Sequence, residues 1–259
     1  MIRAASLLIA TLAFAETRDV RFYSENVQCY AKLFLPAGFS ADAKVPAVIL
    51  APGWQQTERS LEAAAQAIAD AGFVAMAIDY RGWGGSGGYP YLAEDIRFDD
   101  RLRFSQHTAK VRIRRKRLIP NDQVDDIRNA ISYVQGEPGI DRTRIGIYGK
   151  DMAAAHALVI AGLDPRVKAI AALQPKLEDS PDDPALRIKL ARADSAHVLP
   201  NEETKLALSE YHPSRFLSQI PESVAVLTDQ TKLNLKARIE SVTSFTPIDV
   251  ANFFKRSLQ

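Results

Sequence analysis

The sequence predicts an α/β protein: a doubly wound, mostly parallel sheet with helices on both faces and a small helical excursion. Three observations predict it. The continuous apolar runs VPAVILAPG and FVAMAID have the composition of strands buried on both faces. Amphipathic segments of helical period alternate with such runs along most of the chain, the rhythm of a parallel sheet. With 47% hydrophobic and 25% charged residues over 259 positions, the chain can bury one large conventional core.

The first segment reads as a leader: Arg3, an apolar run, then Ala13-Phe14-Ala15 ahead of Glu16, a small-residue cleavage signature. A frayed terminal helix is the alternative. With the leader cleaved after residue 15, the mature protein is extracytoplasmic, either periplasmic or secreted; uncleaved, it is cytoplasmic. Residues 16–259 then read as a single domain.

Within it, DVRFYS and VQCYAKLFLP form two β-rich runs around a short polar turn, a hairpin. Cys29 is the lone cysteine, so it makes no intramolecular disulfide and reads as a buried structural thiol. VPAVILAPG follows as a strand, and TERSLEAAAQAIADAG as a helix with Thr57 at its start and Gly72 as its stop. FVAMAIDYRGWGGSGG is a strand that runs into a glycine-rich loop. From Asp122 a helix places Val124, Ile127, Ile131 and Val134 on one face. RIGIYG, VKAIAAL and ESVAVLT read as strands, MAAAHALVIAGL as a helix, and PIDVANFFKRSL as a closing amphipathic helix.

Two regions break the rhythm. Residues 175–222 are polar and punctuated by proline, an irregular helical excursion. Residues 92–120 are a basic insertion with eight Lys or Arg between Arg101 and Arg117 and no acid, leaving the rest of the chain at about −6. The segment AKVRIRRKRLIP reads as a short strand or extended arm with its charged side outward. Contact with an anionic partner at Arg112, Arg114 and Arg115 is one reading. A solvated loop balanced by Glu94, Asp95, Asp99 and Asp100 is the other. Nucleic acid is not expected, given the leader and the absence of interleaved aromatics. No apolar run approaches the roughly 18 residues of a membrane span. No ligand spacing for a metal and no glycine-rich nucleotide fingerprint occurs, so no cofactor is expected.

Three phrases carry a family resemblance: DYRGWGGSGG (Asp79–Gly88), DQVDDIRNAISYVQGEPGIDRTRIGIYG and AHALVIAGLDPRVKAIAALQP. Over roughly residues 45–90 and 121–176 the chain resembles the α/β-hydrolase superfamily, in its branch of esterase, dienelactone-hydrolase-like and Xaa-Pro-peptidase-like proteins. The resemblance implies that RIGIYGKDMAAAHAL holds the strand–turn–helix corner where such proteins carry G-x-S-x-G. Here Gly149 is retained, Asp151 takes the central position and Ala153 the last. It also implies backbone donors for an oxyanion at Trp54 and Met152, with Gly53 in the loop where relatives often read His-Gly. A plain proline–glycine turn is the alternative for that loop.

The resemblance further implies a catalytic histidine after the last strand, but the matching phrase reads Thr243-Ser244-Phe245. No histidine follows His212. Ser244 cannot accept a proton near neutral pH, so the base is missing. Asp229 follows the penultimate strand, the family's place for the acid, with no histidine to orient. Of the four histidines, His156 lies five residues past Asp151 on a helix face turned towards packing. His212 precedes the next-to-last strand, and His107 and His197 fall in the irregular regions.

Two functions of different class follow. One is a hydrolase-lineage protein that lacks Ser-His-Asp catalysis and binds a small-molecule ligand or a protein partner, a pseudo-hydrolase. The other is an active hydrolase with Asp151 as nucleophile or acid–base group on a small apolar or acyl substrate. A carboxylate attacks without losing a proton, but hydrolysing the resulting covalent intermediate requires a base to activate water.

Overall fold

A computed structural model describes residues 16–94, 108–178, 180–192, 199–230 and 233–259. The leader at 1–15, most of the acid-balanced part of the basic insertion, and the residues His107 and His197 lie outside the described residues.

The chain enters the sheet as a hairpin of β1 (Glu16–Ser24) and β2 (Val27–Leu35), paired antiparallel along their full length. Glu25 and Asn26 form its two-residue turn, both at positive φ, which matches the twist of the flanking strands. Cys29 is fully buried in β2, and burial pushes its thiol up to about 12. The strands β3 (Val45–Ala51) and β4 (Val74–Ile78) are buried almost throughout, as continuous apolar runs require. Between them, Glu58–Leu61 forms a 3-10 turn that leads into α1 (Glu62–Asp70). Thr57 makes no capping bond, so the helix proper starts five residues later than its sequence signal. Gly72 ends the segment at φ +96°, a conformation that favours glycine.

The glycine-rich loop leads into β5 (Tyr89–Leu92), which pairs antiparallel with β6 (Val111–Arg114) as a separate two-stranded sheet. The basic segment is therefore a hairpin arm. α2 (Pro120–Gly136) follows, with Val124, Ile127, Ile131 and Val134 all buried. β7 (Ile140–Lys150), α3 (Met152–Leu163) and β8 (Val167–Leu173) follow, β7 starting earlier than RIGIYG suggests. The excursion contains α4 (Pro184–Arg192), α5 (Pro200–Ser209) and a 3-10 segment, Pro213–Gln219. β9 (Ala225–Thr228), β10 (Arg238–Ser241) and α6 (Pro247–Leu258) close the chain. β10 carries no sequence signal, because its half-exposed RIES has neither an apolar run nor clean alternation.

The central sheet runs β1-β2-β4-β3-β7-β8-β9-β10. β2 pairs antiparallel with both its neighbours, and every other pair from β4 to β10 is parallel. Two hydrophobic clusters mark the two faces: α2 and α3 cover one, α1 and α6 the other. This order brings the C-terminal ends of β3, β4, β7, β8 and β9 to one edge, where open α/β sheets hold their ligands. No helix among the described residues is long and apolar enough to cross a membrane.

Candidate functional site

The site begins with the corner between β7 and α3. Asp151 stands at its tip with φ 55° and ψ −119°, a strained conformation for a residue with a side chain. The corner is pinned from β8, because Asp151 N–H donates to the Leu173 carbonyl at 3.0 Å. Gly149 is obligatory here, since a Cβ would collide with the Ala153 backbone carbonyl. Ala153 is itself fully buried, and its methyl group is accommodated. Met152 opens α3, so its N–H has no partner within the helix.

The loop after β3 faces this corner. Gln56 N–H donates to the Gly53 carbonyl at 3.1 Å and Gln55 sits at φ 55°, which makes Gly53–Gln56 a tight β-turn. A Cβ on Gly53 would lie 3.4 Å from Asp151 Oδ2 and 3.3 Å from the Lys150 carbonyl. The turn and the corner thus meet closely, and Gly53, Trp54 and Met152 line one crevice.

Two buried carboxylates hold the loops beside it. Asp79 accepts from Glu58 N–H at 2.9 Å and Gly85 N–H at 2.7 Å, tying the end of the β3 loop to the glycine-rich loop. Burial pushes the Asp79 carboxyl up to about 6; the two N–H donors hold it down, and the adjacent Glu58 charge raises it. Asp126 on α2 takes both the backbone N–H and Nε of Arg81, at 2.9 and 2.7 Å. Arg81 also donates to Ser24 Oγ and Glu25, so the loop is anchored to the β1–β2 hairpin as well as to α2.

His156 is buried one turn beyond the corner. Its Nδ1 lies 2.6 Å from Tyr211 Oη and its Nε2 lies 2.9 Å from Gln123 Oε1. Because Gln123 presents its oxygen, Nε2 carries the ring proton and Nδ1 accepts from the tyrosine. Burial depresses the imidazole to about 3, so it is neutral over the ordinary pH range. The Tyr80 ring stands edge-on to it at 6.1 Å.

The remaining expected residues are dispersed. Asp229 does follow β9, but its Oδ1 accepts the Gln174 backbone N–H at 2.7 Å, a loop-bracing bond. Ser244 is exposed in the turn between β10 and α6, just ahead of the Thr246–Asp249 capping box. His212 opens onto a different pocket, with Asp182, Arg187, Glu210 and Arg215. In the basic arm, Arg114 and Arg117 converge on the two carboxylate oxygens of Glu203 in α5, at 2.8 and 2.9 Å. Arg115 donates to the Gly84 carbonyl at 2.6 Å, while Arg112 is exposed. Two of the three arginines expected to meet an outside anion are thus engaged internally. The charge run gave no hint of this, because Glu203 lies 86 residues beyond Arg117.

The arm and the excursion wall a cleft around Trp54. On one side it holds about 420 Å³, against Trp83, Leu118, Thr204 and Leu208. On the other it holds about 380 Å³, against Met152, Lys176, Leu208, Tyr211 and Pro213. Both volumes suit a small molecule. Lys176 Nζ lies 6.0 Å from the centre of the Trp54 ring. Among the described residues, no group of three or more His, Cys, Asp or Glu is placed to hold a metal ion. Tyr80, Gln123 and Tyr211 went unnoticed in the sequence; only the fold gathers positions 80, 123, 156 and 211.

The strand order, the strained corner and the loop facing it define the α/β-hydrolase fold. Residues 10–191 match the family described as acetyl xylan esterase (AXE1), and the chain belongs to that family. A thiohydrolase of Arthrinium phaeospermum is 32% identical over 138 residues, 53% of this chain and 37% of its own length. The chain thus spans well under half of that relative. A hypothetical protein of Pseudomonas aeruginosa superposes with a TM-score of 0.68 at 18% identity, over 95% of each chain. An acetyl xylan esterase of Paenibacillus sp. R4 gives 0.61 at 20% identity, over 97% of this chain and 87% of its own.

Proposed function

We propose that this chain is a ligand-binding member of the esterase lineage that does not carry out Ser-His-Asp hydrolysis. The observation that carries the reading is the engagement of His156. It is the histidine nearest Asp151 in the sequence, and both its ring nitrogens are held by Tyr211 and Gln123. A general base needs a free lone pair within reach of the water or hydroxyl it activates. His156 offers none, and the place of the family's histidine is taken by Ser244. Asp229 braces a loop where the acid would orient that histidine. What the lineage retains is the cleft, with Trp54 between two arms that set Trp83, Leu118, Leu208, Met152 and Tyr211 beside the polar Lys116, Lys205, Lys176 and Glu178.

Hydrolysis of p-nitrophenyl acetate tests the reading. Release of nitrophenolate is expected to stay at the buffer rate. Turnover that disappears in Asp151→Ala overturns the proposal.

A second reading has its own observation: the retained strain at Asp151, which a protein without use for the corner has no reason to keep. There the Asp151 carboxylate attacks the substrate carbon and displaces its leaving group, giving an alkyl ester from a small apolar substrate or a mixed anhydride from an acyl one, which water then hydrolyses. A single turnover in heavy-oxygen water then places label in the Asp151 carboxylate, and an unlabelled carboxylate under proven turnover removes that role. On the leader reading the protein acts outside the cytoplasm, and exported material beginning near Glu16 is the corresponding check.

A further inference from the structure

Beneath the cleft, where its two arms meet, a narrow crevice of about 10 Å³ is lined by Gly53, Trp54, Tyr80, Gln123 and Met152 among others. That volume admits a single oxygen atom or a water molecule and nothing bulkier. The crevice shares Trp54 and Met152 with one arm, and Trp54, Trp83 and Leu118 with the other. It is thus the floor common to both.

Tyr80 is 3% exposed, and its hydroxyl has no hydrogen-bond partner among the described residues. A buried hydroxyl without a partner is destabilising, so a ligand atom that supplies one is favoured there. Gln123 presents its oxygen to His156 Nε2, which leaves its amide N–H groups as donors. Tyr211 already donates to His156 Nδ1 and holds the ring in place. Tyr80 and Gln123, with that hydroxyl and those amide N–H groups unengaged, are both among the residues that line the crevice, beside the Gly53–Gln56 turn and Met152. His156 serves here to fix the orientation of Gln123, so it is a positioning residue.

We propose that Tyr80 and Gln123 form a polar subsite that receives the carbonyl oxygen of a ligand whose apolar parts lie on either side of Trp54. The assignment deepens the ligand-binding reading above and rests on it. A carbonyl oxygen has two lone pairs and no proton, the complement of a floor that donates from two side chains. A hydrocarbon of the same shape leaves both donors unsatisfied. Discrimination between the two therefore measures the subsite, while binding of either measures the cleft.

The experiment uses 4-phenyl-2-butanone and n-butylbenzene, titrated calorimetrically into the wild-type protein and into Tyr80→Phe. A ketone cannot be hydrolysed, so the outcome does not depend on any activity at Asp151. The wild type is expected to bind the ketone about tenfold more tightly than the hydrocarbon, the equivalent of one net hydrogen bond. Tyr80→Phe is expected to reduce that preference to about twofold, with thermal stability equal to or above wild type. A tyrosine that only fills space leaves the preference unchanged, and that result overturns the subsite. Equal affinity of the wild type for both probes also overturns it, with a water as the floor's only occupant, and leaves the cleft reading standing. Binding of neither probe overturns both.

Discussion

Tyr211 Oη and His156 Nδ1 lie 2.6 Å apart in a seam where the helical excursion closes over α3. The pair joins the segment before β9 to the helix after the corner and engages one nitrogen of the His156 ring. Its partner on the other side, Gln123, belongs to a third element, α2. One imidazole therefore ties three parts of the chain together below the cleft.

The first prediction concerns the charge of that ring. His156 has a folded pKa of about 3, below the ordinary histidine value, so folding disfavours its protonated form. The stability it supports is complete above about pH 6.5 and is lost as pH falls from there towards 3. Nitrogen-15 spectra should show a neutral ring with the proton on Nε2 at pH 5. An imidazolium signal at that pH would contradict the buried network. Tyr211→Phe leaves Nδ1 without its donor and should cost about 1–3 kcal/mol in denaturant unfolding.

Asp79 has the opposite sign. Its folded pKa of about 6 lies above the unfolded carboxylate value near 3.9, so its protonated form is favoured by folding. The contribution is full below about pH 4 and is lost as pH rises through 6. Asp79→Asn should remove that slope between pH 4 and 7. It should also lower stability at every pH, because one of the two backbone donors loses its acceptor. A variant that keeps the wild-type slope assigns the titration to another group.

The strain at the corner is measurable as stability. Asp151→Gly relieves φ 55° while adding the unfolded-state freedom of glycine, for a net gain of about 1 kcal/mol. Gly149→Ala pushes a methyl group against the Ala153 carbonyl and should lose about 1–3 kcal/mol. Urea midpoints of the two variants should move in opposite directions. A stability loss in Asp151→Gly would mean that its side chain holds the corner together.

Glu203 latches the basic arm to α5 through Arg114 and Arg117, with all three side chains mostly shielded from water. Glu203→Gln keeps the shape but loses the charge that draws both guanidinium groups. Stability should fall by about 1–3 kcal/mol, in keeping with charge-assisted bonds. The arm should become a faster site of limited proteolysis near Lys110–Arg117. Cleavage at the wild-type rate would show that the Tyr89 and Tyr91 ring contacts with Arg117 and Arg114 suffice to hold it.

Much of the fold was legible because its signals are local. The apolar runs of β3, β4 and β8 and the periodic face of α2 each lie within one short window. α3 and α6 have the same bounds in the sequence reading as in the structure. β10 escaped because an edge strand needs no apolar pattern, and the 3-10 turn at Glu58 because Thr57 resembles a cap without acting as one. The site was legible in part: Gly149, Asp151 and Met152 are consecutive enough to be read as a corner.

The sequence by itself determined the class of sheet and the corner at Asp151, since each depends on residue type at a local spacing. Only the tertiary structure decided where the polar groups between those landmarks find partners. It gave Asp229 to the Gln174 amide, Arg114 and Arg117 to Glu203, and both nitrogens of His156 to Tyr211 and Gln123. The physical reason is that a buried polar group must be satisfied by whatever the fold brings within about 3 Å, and sequence distance does not constrain which residue that is.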